Sequence, residues 1–351
     1  MGSAAVVTVW VAAAAGIVAW SLRWLLGWPS EDPRNMVMVW LPITVVAYLL
    51  ANLQGGTAVG ANRFESSLAN AAVTGLLMAV GYLVAWLYAP PSVGTAMLIW
   101  SCAQLCGDAV GWAVLLRGVQ FGRPRRHQMH ELMRLSLSAL PASVLGVATT
   151  RVDVLALGLV APTAEVGRYA IAGLGVLVLG IGPSAIGQSL ASRYGNDLDA
   201  APRLLLRGVS AGLAVSLGTG IVAGLGIFPF VRLALGPSYA GTERMFLLLI
   251  PGAICFSVFQ VALNYFTVVR KKPLWPGRIA GLAFVMDMLM LALLAPTMGG
   301  YGAAIASTTS YAAAAALTLL HLRQELRWRF LGVGSPAESV DVLESAELQE
   351  R

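Results

Sequence analysis

The segment LSLSALPASVLGVATTRVDVLALGLVAPTAEVGRYAIAGLGVLVLGIGPSAIGQSLASRYG, Leu135–Gly195, decides how the whole chain is read. Two long apolar runs, 135–160 and 167–190, meet at the short turn Ala161-Pro162-Thr163-Ala164. Each is long enough to cross a bilayer as a helix, which takes about 20 residues. The first carries Arg151 and Asp153 inside otherwise apolar sequence. An ionisable group facing lipid is costly, so such groups face a protein interior or a watery cavity. This hairpin is therefore where the protein is expected to meet something polar.

Composition points the same way. Of 351 residues, 58% are hydrophobic and only 11% charged, and the mean hydropathy is +0.75. A soluble domain carries about 25% charged residues. The expected class is all-α, a polytopic transmembrane helix bundle. The 38 glycines suit helices that pack backbone to backbone in lipid. A net charge of +6 would suggest nucleic acid if the basic residues formed a stripe. They sit in short loops instead, so no nucleic-acid partner is expected. Cys102, Cys106 and Cys255 lie in apolar segments without CxxC or Cys/His spacing, so no metal site or disulfide framework is expected. No nucleotide loop, HExxH or GxSxG elbow appears, and the reading is of a non-enzyme without a cofactor.

About ten spans are predicted: 4–26, 36–54, 67–89, 93–116, 135–160, 167–190, 205–228, 245–268, 276–296 and 301–322. The first apolar run reads as a span rather than a cleavable leader. Basic residues fall in alternate loops: Arg117, Arg123, Arg125, Arg126 and Arg134; then Arg193, Arg203 and Arg207; then Arg270, Lys271, Lys272 and Arg278; finally Arg323, Arg327 and Arg329. Loops 90–92, 161–166 and 297–300 carry almost none. The positive-inside rule places the basic loops and both termini in the cytoplasm. The connector 118–134 joins an amino-terminal bundle of about four spans, 1–117, to a six-span carboxy-terminal bundle, 135–323. The last four spans repeat the loop rhythm of the first four, and two helices are expected to be missing at the amino end. In the tail 324–351, Glu338, Asp341, Glu344, Glu347 and Glu350 recur every three residues, which reads as a solvated cytosolic segment.

Five groups of polar residues are candidates for chemistry. Arg151 and Asp153 point about 200° apart on a helix and do not pair directly. Arg151 lies roughly 24 Å along its span, near the outer face. Glu165 and Arg168 sit at the outer start of the next span, so these four are expected to line an outer vestibule or to fix the hairpin as an ion-pair cluster. An arginine in a cavity suits a phosphate, because its planar fork binds oxyanions with two hydrogen bonds. Asp108, with Gln104 one turn earlier, and Asp287, among Met286, Met288 and Met290, are the candidates for ion coupling. Both also suit plain helix packing. Gln188 and Asn264 are lumen-facing or helix-joining positions, and Gly208-x-x-x-Gly212 and Gly220-x-x-x-Gly224 fit close helix crossings.

Three stretches resemble bacterial polysaccharide exporters, the O-antigen flippase-like branch of the multidrug/oligosaccharidyl-lipid/polysaccharide superfamily. They are RVDVLALGLVAPTAEVGRYAIA (151–172), LGPSYAGTERMFLLLIPGAICFSVFQVALNYF (235–266) and GGYGAAIASTTSYAAAAALTLL (299–320). The resemblance covers 135–325 well and 36–117 more loosely. It implies a two-lobed, MATE-like architecture of twelve or more helices, so a chain of ten has a short amino-terminal lobe. It also implies a positively charged central cavity, to which only Arg151 and Asp153 map residue by residue. The expected function is a flippase for lipid-linked oligosaccharide or polysaccharide precursor. Its partners would be a polyprenyl-pyrophosphate-linked oligosaccharide, membrane lipids, and a polysaccharide polymerase or glycosyltransferase. The alternatives are a cation-coupled multidrug exporter of the same superfamily and a non-transporting scaffold for cell-envelope assembly.

Overall fold

The computed structural model describes Ser21 and residues 33–61, 63–88, 92–117, 145–146, 148–194, 200–272 and 274–330. Among these residues there is no β-strand. Apart from Ser21, the predicted span 4–26 lies outside the described residues, as do the connector arginines 123–134 and the acidic part of the tail, 331–351. Contacts divide the chain into two compact units, Met1–Met133 and Arg134–Arg351.

The first unit contains α1 (Pro33–Gly60), α2 (Phe64–Tyr88) and α3 (Val93–Leu115). Its polarity is inverted relative to a soluble protein. The buried residues of α2 are Ser66, Asn70 and Thr74, one helical turn apart, while Leu68, Leu76 and Trp86 are exposed. That is the pattern of a helix whose solvent is hydrocarbon and whose polar groups join helices. Ser92 starts α3 by accepting the N–H of Thr95 at 3.1 Å, the usual role of an N-cap serine. At the other end, the Arg63 guanidinium donates to the C=O groups of Leu115 and Arg117, where the helix dipole favours a cation.

The second unit contains α4 (Val152–Val160), α5 (Thr163–Tyr194), α6 (Ala201–Phe230), α7 (Thr242–Asn264) and α8 (Leu274–Phe330). Single π-helical turns, Val231–Leu235 and Tyr265–Val269, follow α6 and α7. Among the described residues, six helices are long and apolar enough to cross a membrane, and Ile43–Ala58 is a shorter apolar helix. The chain is a multi-pass membrane protein.

Two elements differ from the expected spans. The run 135–160 is not one uninterrupted helix. Helical turns at 148–149 give way at Thr150 and Arg151 (φ −136°, ψ −23°), and α4 restarts at Val152. The Thr149 hydroxyl donates to the Leu145 C=O at 2.7 Å, a bond that loosens helices, and Asp153 favours a first helical turn. Conversely, the expected spans 276–296 and 301–322 run into one helical element of 57 residues. At 1.5 Å per residue it would measure about 85 Å, far beyond a hydrocarbon core of about 30 Å. It is two spans folded at Gly299 (φ 55°, ψ −130°), a conformation open essentially to glycine.

Apolar packing in the second unit forms two clusters. One, around Leu205, Tyr265, Phe266 and Leu322, lies toward the loops rich in arginine and lysine. The other gathers Leu157, Tyr169, Phe246, Leu249 and Ala303 toward the opposite end. Both GxxxG pairs of α6 sit at crossings. A Cβ on Gly208 would stand 2.2 Å from Leu190, and one on Gly220 would stand 3.2 Å from Ile250.

Candidate functional site: a buried carboxyl pair

Asp153 lies in the first turn of α4 and is 4% exposed. Its Oδ1 accepts the N–H of Val154 at 2.7 Å. Its Oδ2 accepts the hydroxyl of Tyr169, from α5, and that of Ser307, from the second arm of α8, at 3.1 Å. The two hydroxyl oxygens are 3.1 Å apart. Tyr169 and Ser307 are themselves fully buried.

Asp287, on the first arm of α8, is 0% exposed, and neither of its oxygens meets hydrogen-bond geometry with any described residue. Ser307, whose hydroxyl is spent on Asp153, neighbours it, and Asp153 acts on it electrostatically. Tyr311, one turn beyond Ser307, feels both carboxyls and Arg151. No ion pair with lysine or arginine holds either aspartate among the described residues. Four segments thus converge on two acids: α4, α5 and both arms of α8. The fold at Gly299 brings the arms together, and a Cβ on Gly302 would stand 2.5 Å from the Leu294 C=O of the first arm.

Arg151, at the break before α4, is exposed. Beside it a pocket of about 20 Å³, lined in part by Thr150, Asp153, Tyr169, Gly173 and Tyr311, reaches the buried acid. That is room for about one water molecule.

The four residues expected at an outer vestibule take different places. Arg151 and Asp153 share the small pocket, but Glu165 and Arg168 do not line it. Glu165 Oε1 accepts the Gly300 N–H at 2.8 Å, just past the fold in α8. Arg168 Nε donates to the Ser238 C=O at 2.9 Å. Both side chains therefore tie turns together, because backbone groups freed by a glycine fold and a 3₁₀ turn need partners away from water. Gln188 is exposed on α5. Asn264 is half-buried beside Gly187, where a Cβ would stand 3.5 Å from its amide nitrogen.

Asp108 belongs to the first unit and to a different kind of site. It is 2% exposed, and its Oδ1 accepts the Asn70 amide at 2.8 Å and the Gln104 amide at 3.0 Å. Asn70 also donates to Gln54 and accepts the Thr74 hydroxyl at 3.0 Å. Gln54 in turn donates to the Ser66 C=O at 3.0 Å. Gly107 and Gly111 make room for this network: a Cβ on the first would meet Thr74 at 1.9 Å, and one on the second Gln54 at 2.1 Å. Sequence reasoning missed Gln54, Asn70, Tyr169 and Ser307. The signal for Asn70 was available, since Ser66, Asn70 and Thr74 repeat every four residues within an apolar span. For Tyr169 and Ser307, 138 residues apart, no local signal exists.

No protein-family model and no curated protein matches the sequence. Solved structures do match. The "lipid II flippase MurJ, inward closed conformation" superposes with a TM-score of 0.67 at 12% identity, over 89% of this chain and 70% of that one. The MATE transporter VcmN of Vibrio cholerae superposes with a TM-score of 0.62 at 15% identity, over 92% of this chain and 77% of that one. At such identities the likeness is one of fold, and it is the one the sequence resemblance implies: the chain has the MATE-like helical architecture common to these two transport proteins.

Proposed function

We propose that this protein is a flippase that moves a lipid-linked oligosaccharide or polysaccharide precursor across a bacterial inner membrane by alternating access. The basic loops and both termini then face the cytoplasm. The fold shared with a lipid II flippase supports the substrate class. The observation that carries the mechanism is the pair Asp153 and Asp287, buried without a basic partner among the described residues. Two buried carboxyls with room for only about one water beside them cannot both be charged without a counter-charge. A proton or a monovalent cation supplies it. Loading one acid alters how α4, α5 and both arms of α8 attract one another, which is how a coupling ion biases two conformations. Arg151, exposed at the helix break, is the contact for the substrate's pyrophosphate. A polymerase or glycosyltransferase would supply or receive the lipid-linked sugar.

The test is translocation of a fluorescent polyprenyl-pyrophosphate oligosaccharide in proteoliposomes, with an imposed proton or sodium gradient. Wild type should respond to one of the two gradients. Arg151→Ala should weaken substrate binding by about tenfold, the scale of one charge-assisted contact. Translocation that ignores both gradients would remove the coupling role, and unchanged binding in Arg151→Ala would remove the pyrophosphate contact. A second reading, a cation-coupled multidrug exporter, is favoured by the fold shared with the Vibrio transporter and by the excess of buried carboxyls over arginines at the site. It predicts efflux of lipophilic cations and no movement of the lipid-linked sugar.

A further inference from the structure

A groove of about 360 Å³ runs between α6 and α7, away from the carboxyl pair. On α6 its wall is the stripe Leu217, Gly220, Ile221, Gly224, Leu225 and Phe228, and on α7 it is Leu247, Ile250 and Ile254. Every lining side chain is apolar. Both helices are membrane-spanning by length and composition, and Ile221, Leu225 and Phe228 are exposed. From Leu217 to Phe228 the stripe is roughly 16 Å long, which is half of a hydrocarbon core of about 30 Å. The groove therefore has the length of one leaflet.

Its end is marked by charge. Arg232 continues the same stripe four residues past Phe228, in the π-helical turn Val231–Leu235. Arg244 precedes Leu247 by three residues at the start of α7. Both arginines are exposed, and neither forms an ion pair among the described residues. Glu243, the acid nearest in sequence, is engaged: its Oε2 accepts the Gly241 N–H at 3.1 Å. An apolar trough one leaflet long, ending at two free cations, is complementary to a lipid with a phosphate head.

We infer that the α6–α7 groove is a binding site for an anionic membrane phospholipid. One acyl chain lies along the Gly220–Gly224 stripe and the phosphate sits between Arg232 and Arg244. The site does not depend on the proposed transport function. The length of the trough favours a phospholipid chain over a polyprenyl chain, which is several times longer.

The experiment uses the purified full chain in detergent, with phosphatidylglycerol and phosphatidylcholine as probes, and counts retained lipids by native mass spectrometry. Wild type should retain phosphatidylglycerol in preference. Arg232→Gln with Arg244→Gln should weaken that preference roughly 10- to 30-fold, at about three- to fivefold per arginine near a lipid phosphate. Leu225→Trp, at an exposed position that fills the trough without touching the helix interface, should reduce retention of phosphatidylglycerol while the arginines remain. Equal retention of both lipids by wild type, or an unchanged preference in the double variant, overturns the site. So does displacement of phosphatidylglycerol, one for one, by a polyprenyl pyrophosphate, because the groove would then belong to the transport substrate.

Discussion

The two units each bury polar groups in an apolar bundle, but they do so differently. Around Asp108 the partners are amides: Asn70, Gln54 and Gln104 donate and accept in a chain that closes on the Ser66 backbone. Around Asp153 and Asp287 the partners are hydroxyls on one acid and none in hydrogen-bond geometry on the other. The amides are neutral and hold Asp108 through Oδ1 alone, its Oδ2 having no partner in hydrogen-bond geometry among the described residues. A lone acid fixed by amides contributes specificity of packing, without a second carboxyl beside it. A carboxyl pair without counter-charge is incomplete until something positive arrives. The first arrangement fixes helices, while the second responds to an ion.

The sharpest way to break this comparison is to remove one charge from each unit. Asp287→Asn should abolish gradient-driven translocation while the protein still purifies as a monodisperse species, because Asn keeps the shape and removes the titrating group. Asp108→Asn should leave translocation within about twofold of wild type, since the new Oδ1 accepts from Asn70 and Gln104 as before. The same liposome assay reads both. Equal loss in the two variants would mean that both units carry coupling acids.

The next effect is on stability, and its order reverses. Asn70→Leu deprives Gln54 of a donor, Thr74 of an acceptor and Asp108 of one of its two bonds. Leaving buried polar groups without partners costs about 1–3 kcal/mol each, and the losses overlap, so a destabilisation of about 2–4 kcal/mol is expected. Ser307→Ala removes one of two hydroxyls from Asp153 Oδ2 and leaves Tyr169 in place, for about 1 kcal/mol. Thermal unfolding in detergent measures both. If Ser307→Ala proved the more damaging, the hydroxyls would be structural.

The spans that fall on long described helices were legible in the sequence because hydrocarbon selects on local composition: about 20 apolar residues are long enough to span wherever they occur. Asp287 was legible for the same reason, as a carboxyl in the middle of such a run. The helix break at Arg151 was not, because hydropathy does not register the loss of a backbone hydrogen bond. Nor was the placement of Asp153. Its partners come from α5 and from the far arm of α8, and their meeting depends on the fold at Gly299. Glu165 was read as a vestibule group or as part of an ion-pair cluster fixing the hairpin, because it sits at the outer start of a span. The structure shows that its neighbour is a backbone N–H exposed by a glycine 134 residues away. Gly107 and Gly111 went unnoticed among 38 glycines, since only the room they leave for Thr74 and Gln54 sets them apart.

That reading of Glu165 yields the smallest and most specific prediction. If its role is to satisfy Gly300, charge is unnecessary and an acceptor is sufficient. Glu165→Gln keeps a carbonyl oxygen at the same reach and should unfold within about 0.5 kcal/mol of wild type, the difference between a charged and a neutral acceptor at a half-buried site. Glu165→Ala leaves the buried Gly300 N–H without its partner and should cost about 1 kcal/mol or slightly more. A vestibule carboxylate that attracts cations would behave oppositely in transport, with Gln as damaging as Ala. Thermal unfolding and translocation measured on the same two variants therefore separate a clasp on the α8 fold from a charge in the substrate's path. They also show whether the second unit has one group of working acids or two.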